Sequence, residues 1–151
     1  MADKKHALVT GAIGGIRETY EVNVFGPISV TQAFLPLLKA APAARIVMLS
    51  SSVGSLNIMS DKSHPFYAIN ELGYCSSKTA LNAVVLAFAK ELEGTPVKVN
   101  TADPGYTATD LNGHTMPSTV EQAAEIAFRL ATLPPEGPTA GYFNEDGLLP
   151  W

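Results

Sequence analysis

An α/β architecture, a parallel sheet with helices on both faces, is predicted for this 151-residue chain by its patterning. Short apolar runs that stop at glycine or serine alternate with longer runs whose apolar residues recur at helical spacing, the pattern of strand–helix units. The short runs at 6–10 and 45–49 read as strands buried on both faces. The chemistry-bearing stretches at 10–15, 50–52 and 104–109 follow those runs directly, and in open parallel sheets ligands bind beyond the carboxyl ends of the strands.

Each element has its own reason. Residues 6–10, His-Ala-Leu-Val-Thr, read as a buried strand that stops at glycine. Thr10-Gly11-Ala12-Ile13-Gly14-Gly15-Ile16 then reads either as a plain glycine turn or as one that lets a dinucleotide pyrophosphate approach the backbone. Residues 17–41 look helical, with Val24, Phe25, Ile28, Phe34, Leu35 and Leu38 on an apolar face. Gly26-Pro27 should kink that helix, because Pro27 has no backbone donor. Asn23 lies one turn before the kink, where its amide could hold a water, bond a freed carbonyl or simply face solvent.

Residues 45–49 form a second buried strand, ending in Ser50-Ser51-Ser52-Val53-Gly54. Residues 55–73 read as a long irregular loop of the functional or mobile kind. The helix at 74–92 carries Ala80, Leu81, Val84, Val85, Phe88 and Leu92 at helical spacing. Residues 97–101 alternate as a third strand and lead to Asp103-Pro104-Gly105-Tyr106-Thr107-Ala108-Thr109-Asp110. Ser118 is expected to cap a helix over 119–133, with Glu121 as its capping-box partner. Residues 139–144 form a final strand.

Composition narrows the function classes. The chain is 46% hydrophobic and 16% charged with net charge -4, a globular balance without a basic cluster, so no nucleic-acid partner is expected. Cys75 is the single cysteine, which excludes an intrachain disulfide and fits a reducing cytoplasm. The longest strongly apolar run, 83–89, is too short for a bilayer, and the apolar stretch near the start is broken by Thr10 and glycines, unlike a signal peptide. His6, His64 and His114 lack ligand spacing, so no metal site is expected. One soluble cytoplasmic domain, 1–151, is the reading.

The stretch Tyr74-Cys75-Ser76-Ser77-Lys78 carries the sharpest chemistry. Positions i and i+4 share a helix face, which sets the Tyr74 phenol beside the Lys78 ammonium. A neighbouring cation favours phenolate, so Lys78 is expected to lower the Tyr74 pKa and fit it for proton exchange with a carbonyl oxygen.

Taken together these residues resemble the short-chain dehydrogenase/reductase family in its carbonyl-reductase-like branch. The glycine pattern is matched by Thr10, Gly11, Gly15 and Ile16 and fails at Arg17. N-x-x-G is Asn23 with Gly26, the serine three before a glycine is Ser51 with Gly54, Y-x-x-x-K is Tyr74 and Lys78, and P-G-x-x-x-T is Pro104, Gly105 and Thr109. The ending from Gly141-Tyr142-Phe143 to Pro150-Trp151 is also similar. The resemblance implies a Rossmann-like sheet, here incomplete with about four strands, because family members continue between Ile16 and Arg17 through further strand–helix units. The strand at 6–10 would then pair with 45–49 or leave backbone groups unsatisfied, and open sheet edges would favour a homo-oligomer.

The resemblance also implies hydride transfer between a nicotinamide and a small carbonyl or alcohol substrate. Tyr74 would be the acid/base, Lys78 would bond the ribose, Ser51 would hold the substrate oxygen, and Asn23 would anchor a relay water. Thr10, Gly11, Gly15, Ile16, Tyr74, Lys78, Pro104, Gly105 and Thr109 would bind NADP or NAD, with NADP preferred from the branch. The alternative is a shortened relative that no longer binds the dinucleotide and serves as an interaction module or is a remnant. A serine hydrolase using Ser51 with His64 or His114 lacks the G-x-S-x-G elbow.

Overall fold

The structure, a computed structural model, describes residues 13–108, 113, 115 and 118–151, with side chains from residue 15 onward. The expected strand at 6–10, and with it Thr10 and Gly11, lies outside the described residues, as does Thr109.

The first element is a helical run in three parts: α1 (Ile13–Tyr20), a π-helical turn (Glu21–Phe25) and α2 (Gly26–Ala40). Strand β1 (Arg45–Leu49) follows, then the short helix α3 (Leu56–Ser60), the long helix α4 (Leu72–Glu91) and strand β2 (Lys98–Ala102). Helix α5 (Val120–Ala131) and strands β3 (Tyr142–Asn144) and β4 (Gly147–Leu148) complete the chain. The four strands make one sheet in the order β1-β2-β3-β4. β1, β2 and β3 are parallel, with Arg45 opposite Lys98 and Thr101 opposite Tyr142, and β4 returns antiparallel to β3.

Helices cover both faces, as the apolar strands require. On one face α4 lays Leu81, Val85, Phe88 and Ala89 against Met48 and Val99, with Ile28, Leu35 and Leu38 of α2 beside them. On the other, Ile126 and Leu130 of α5 pack on Ala102, Val47 and Phe143. Met48 and Val47 are neighbours on β1 and serve opposite clusters because successive strand side chains alternate faces. Among the described residues no helix is long and apolar enough to cross a membrane.

Several expectations are corrected. The glycine turn does not form at residues 13–16, which are helical. Ile16 instead packs on Gly73, where an added Cβ would come 3.3 Å from Ile16 Cγ1. The kink at Gly26-Pro27 takes the form of the π turn, in which Gly26 N donates to Glu21 O. That wider spacing keeps the Pro27 ring off the carbonyl a regular helix would press against it.

Residues 55–73 are not irregular: Ser55 caps α3 by accepting from Ile58 N at 3.1 Å, and Pro65–Ala68 is a 3₁₀ turn. Helix α4 begins at Leu72, two residues before Tyr74. The cap of α5 is Thr119, not Ser118, and its capping-box partner is Gln122, not Glu121. Ser118 is used elsewhere, its carbonyl accepting Ala108 N at 2.8 Å. Strand β4 was not expected. It exists because Asn144 Oδ1 accepts both Asp146 N and Gly147 N at 3.0 Å and turns the chain back. Trp151 then stacks on Tyr142 at 5.4 Å, and its carbonyl accepts Asn57 N at 3.0 Å.

Candidate active site

Three segments meet at the carboxyl end of the sheet: the serine turn after β1, the first turns of α4, and the turn after β2. Ser51 is extended and opens a 3₁₀ turn, Ser52–Gly54. Gly54 is pressed onto α4, since a Cβ there would lie 2.8 Å from Lys78 Cβ. Its carbonyl accepts Thr79 Oγ1 at 3.0 Å and Asn82 Nδ2 at 3.2 Å. The spacing of Ser51 and Gly54 thus has a physical meaning: only glycine lets this turn sit on the helix that carries Tyr74 and Lys78.

Tyr74 and Ser51 are brought together. Burial raises the Tyr74 phenol above its ordinary value, the nearby Ser51 hydroxyl opposes this, and the charges of Asp103, Glu71 and Cys75 add to the rise. The expected lowering by Lys78 is therefore not found. Lys78 Nζ lies 5.5 Å from the centre of the Tyr74 ring and donates to Leu49 O at 2.9 Å. Lys78 is itself nearly buried and held below the ordinary lysine value by desolvation, with Asp103 acting the other way. In both groups desolvation is the first cause, and it disfavours the charged form of each.

Asn23 sits in the π turn and donates from Nδ2 to Ser77 Oγ at 3.0 Å, rather than to a freed carbonyl. Ser77 Oγ in turn donates to Tyr74 O at 2.7 Å. The widened turn is thereby tied to the helix that carries the tyrosine.

Ser51, Pro104 and Gly105 line a cavity of about 390 Å³, with His64, Phe66 and Tyr106 on its wall. Phe66 meets Tyr106 edge-on at 5.6 Å and His64 at 4.9 Å. Asn23 and Lys78 line a different hollow, an apolar groove between α2 and β1. Gly105 has φ +70 and no atom within 4 Å of where a Cβ would stand. Gly15 and Ile16 lie in α1 and do not form part of a turn.

Sequence reasoning missed Asp103. Its carboxylate is buried at 5% exposure and accepts three donors: Ser52 N at 2.9 Å, the Ser52 hydroxyl, and Gly105 N at 2.9 Å. The available signal was a carboxylate placed directly between a buried strand and Pro104-Gly105.

The model of the short chain dehydrogenase family matches residues 14–119. (-)-Isopiperitenone reductase of Mentha piperita is 30% identical over 172 residues, covering 89% of this chain and 53% of that protein. (+)-Neomenthol dehydrogenase of Arabidopsis thaliana is 32% identical, covering 85% and 56%. Among solved structures, the carbonyl reductase Sniffer of D. melanogaster superposes with TM-score 0.74 at 27% identity, covering 93% of this chain and 58% of that one. A short chain dehydrogenase from Escherichia coli CFT073 complexed with NADPH gives 0.72 at 25% identity, covering 88% and 54%. The chain spans about half the length of the curated relatives it matches.

Proposed function

Because the chain belongs to the short chain dehydrogenase family, we propose that it is an NAD(P)(H)-dependent oxidoreductase that reduces a carbonyl or oxidises an alcohol by hydride transfer, with Tyr74 as acid/base. The observation that carries this reading is the meeting of the Ser51 hydroxyl and the Tyr74 phenol beside the cavity lined by Ser51, with Lys78 one helical turn away.

The nicotinamide dinucleotide supplies or takes up the hydride when bound. The residues of this chain do the rest. Ser51 and Tyr74 hold the substrate oxygen between two hydroxyl groups, and Tyr74 passes its proton to the oxygen as it becomes an alkoxide. A phenol held above its ordinary value stays protonated at neutral pH, so the proton that reduction needs is present. Lys78 has three N–H donors, of which one goes to Leu49 O, so two are left for ribose hydroxyls. Asn23 and Lys78 line one groove, which supports a relay water between them.

The open space at Gly105 fits close approach of a flat ring, so Pro104 and Gly105, with Tyr74 and Lys78, are assigned the nicotinamide end. Gly15 and Ile16 do not fit a phosphate-binding turn. Thr10, Gly11 and Thr109 keep their cofactor roles as proposals from motif alone. NADP is preferred over NAD, in line with the NADPH complex of a structural relative. The aromatic wall of His64, Phe66 and Tyr106 supports an apolar or aromatic small-molecule carbonyl as substrate. A cytoplasmic homo-oligomer remains our proposal for its setting.

The test is Tyr74→Phe. NADPH-dependent reduction of an aromatic ketone should fall by at least about 100-fold, the scale of general acid catalysis, with the circular dichroism spectrum unchanged. Near-normal turnover would contradict the assignment. A second reading, a non-catalytic relative that does not bind the dinucleotide, is favoured by one observation, the helical course of Gly15 and Ile16. Cofactor binding separates the two.

A further inference from the structure

Asp103 belongs to no motif used above, yet it is the buried carboxylate at the centre of the site. It ends no helix and makes no ion pair among the described residues. Its carboxylate reaches in two directions. Oδ2 accepts Ser52 N at 2.9 Å and the Ser52 hydroxyl, and so grips the residue next to Ser51. Oδ1 accepts Gly105 N at 2.9 Å, in a turn whose positive φ of +70 depends on glycine. Two separate turns, one after β1 and one after β2, are therefore fastened to one side chain. A set of donors with no acceptor among them is what an ionised carboxylate takes. Hydrogen bonds to an ionised acceptor are stronger than neutral ones.

We propose that Asp103 is a positioning residue of the site: its carboxylate fastens the turn that presents Ser51 to the Pro104–Gly105 turn, and its negative charge acts on Tyr74 and Lys78.

The second half follows from what faces it. Tyr74, Cys75 and Lys78 face the site from α4, Glu71 from the residue before it, Tyr106 from the turn after β2, and Tyr142 from β3. His64 and Glu145 lie on the cavity wall. The charge of Asp103 opposes ionisation of Tyr74 and favours the ammonium form of Lys78. Both effects keep the pair in its proton-donating state, phenol and ammonium. Removing the charge weakens both. For carbonyl reduction, which needs the phenol, the alkaline limb of the pH–rate profile then moves to lower pH.

This inference rests on the proposed oxidoreductase function for its activity readout, so the experiment has a second readout that does not need turnover. In Asp103→Asn, the phenolate absorbance of Tyr74 is titrated as the difference between the chain and its Tyr74→Phe counterpart. The pH–rate profile of NADPH-dependent ketone reduction is recorded beside it. The expected result is a Tyr74 titration, and an alkaline limb, at lower pH than in the parent, with kcat reduced. A Tyr74 titration unchanged by Asp103→Asn would overturn the proposal, whatever the rates. A shifted titration in a chain with no turnover would support Asp103 and count against the oxidoreductase reading.

Should Asp103→Asn not fold, Ser52→Ala decides. It removes one tie and keeps the charge. The result that supports the proposal is a kcat lowered about tenfold, the scale of one lost charge-assisted hydrogen bond, with the alkaline limb in place. A parental kcat, or a kcat lost together with a shifted limb, would overturn it.

Discussion

A phenol in water ionises near pH 10, and in this chain burial raises both Tyr74 and Tyr142 above that value. For Tyr142 the consequence is one of stability. Its side chain is fully buried, and its hydroxyl, close to Ser50 and Asn82, makes no well-formed hydrogen bond. The folded state holds the proton more tightly than the unfolded one. Stability is therefore complete below the unfolded value near pH 10 and is lost as pH rises through the folded value. Tyr142→Phe should move alkaline unfolding to higher pH. At pH 7 it should change stability by less than about 1 kcal/mol, because a hydroxyl without a good partner contributes little. Thermal unfolding at both pH values checks this, and a large loss at pH 7 would show the hydroxyl is well bonded. At this scale the sequence was informative about two local spacings, Ser51 with Gly54 and Tyr74 with Lys78. It was silent on Asp103, whose role exists only after β1 and β2 bring two turns side by side. It also misjudged the influence of Lys78 on Tyr74, because i and i+4 spacing predicts proximity but not burial.

Helix α4 is the element on which the site is assembled, and Gly54 is where the serine turn meets it. A methyl group at position 54 would fall 2.8 Å from Lys78 Cβ and 2.9 Å from its carbonyl carbon, atoms of a packed helix that cannot simply swing away. Gly54→Ala should cost about 1–3 kcal/mol, the range for forcing extra volume into a packed contact. It should also lower kcat more than it raises KM, because Ser51 is displaced relative to Tyr74. Urea unfolding and steady-state kinetics on the same preparation test both halves, and a variant as stable as the parent would mean the turn can relax. The elements themselves were largely legible. A continuous apolar run bounded by polar residues marked β1, alternation marked β2 to within a residue, and helical periodicity marked α4. Others were hidden for physical reasons. Strand β4 is two residues long and carries no period. The cap of α5 moved by one residue because Ser118 is drawn into a bridge with Thr107. The π turn depends on how Pro27 is accommodated, which periodicity does not encode.

For the molecule as a whole, the sheet begins at β1, whose outer edge pairs with no described strand. The neighbouring surface exposes Val22, Val30, Phe34 and Leu37 of the π turn and α2. Open apolar edges favour association. The overall class, a parallel sheet between helices, was readable because burial on both faces leaves a distinct apolar signature in the strands. The glycine stretch was not readable in the same way, because a run of glycines is compatible with both a turn and the helix that Ile16 and Gly73 stabilise by packing together. Pro104 and Gly105 line one cavity with Ser51, while Gly15 and Ile16 are not in a phosphate-binding turn. The decisive measurement is therefore a fluorescence titration of NADPH with the 151-residue chain. The account predicts saturable enhancement of the nicotinamide emission, weakened by Lys78→Met. No enhancement from a chain that unfolds cooperatively would contradict it and leave a non-catalytic member of the family.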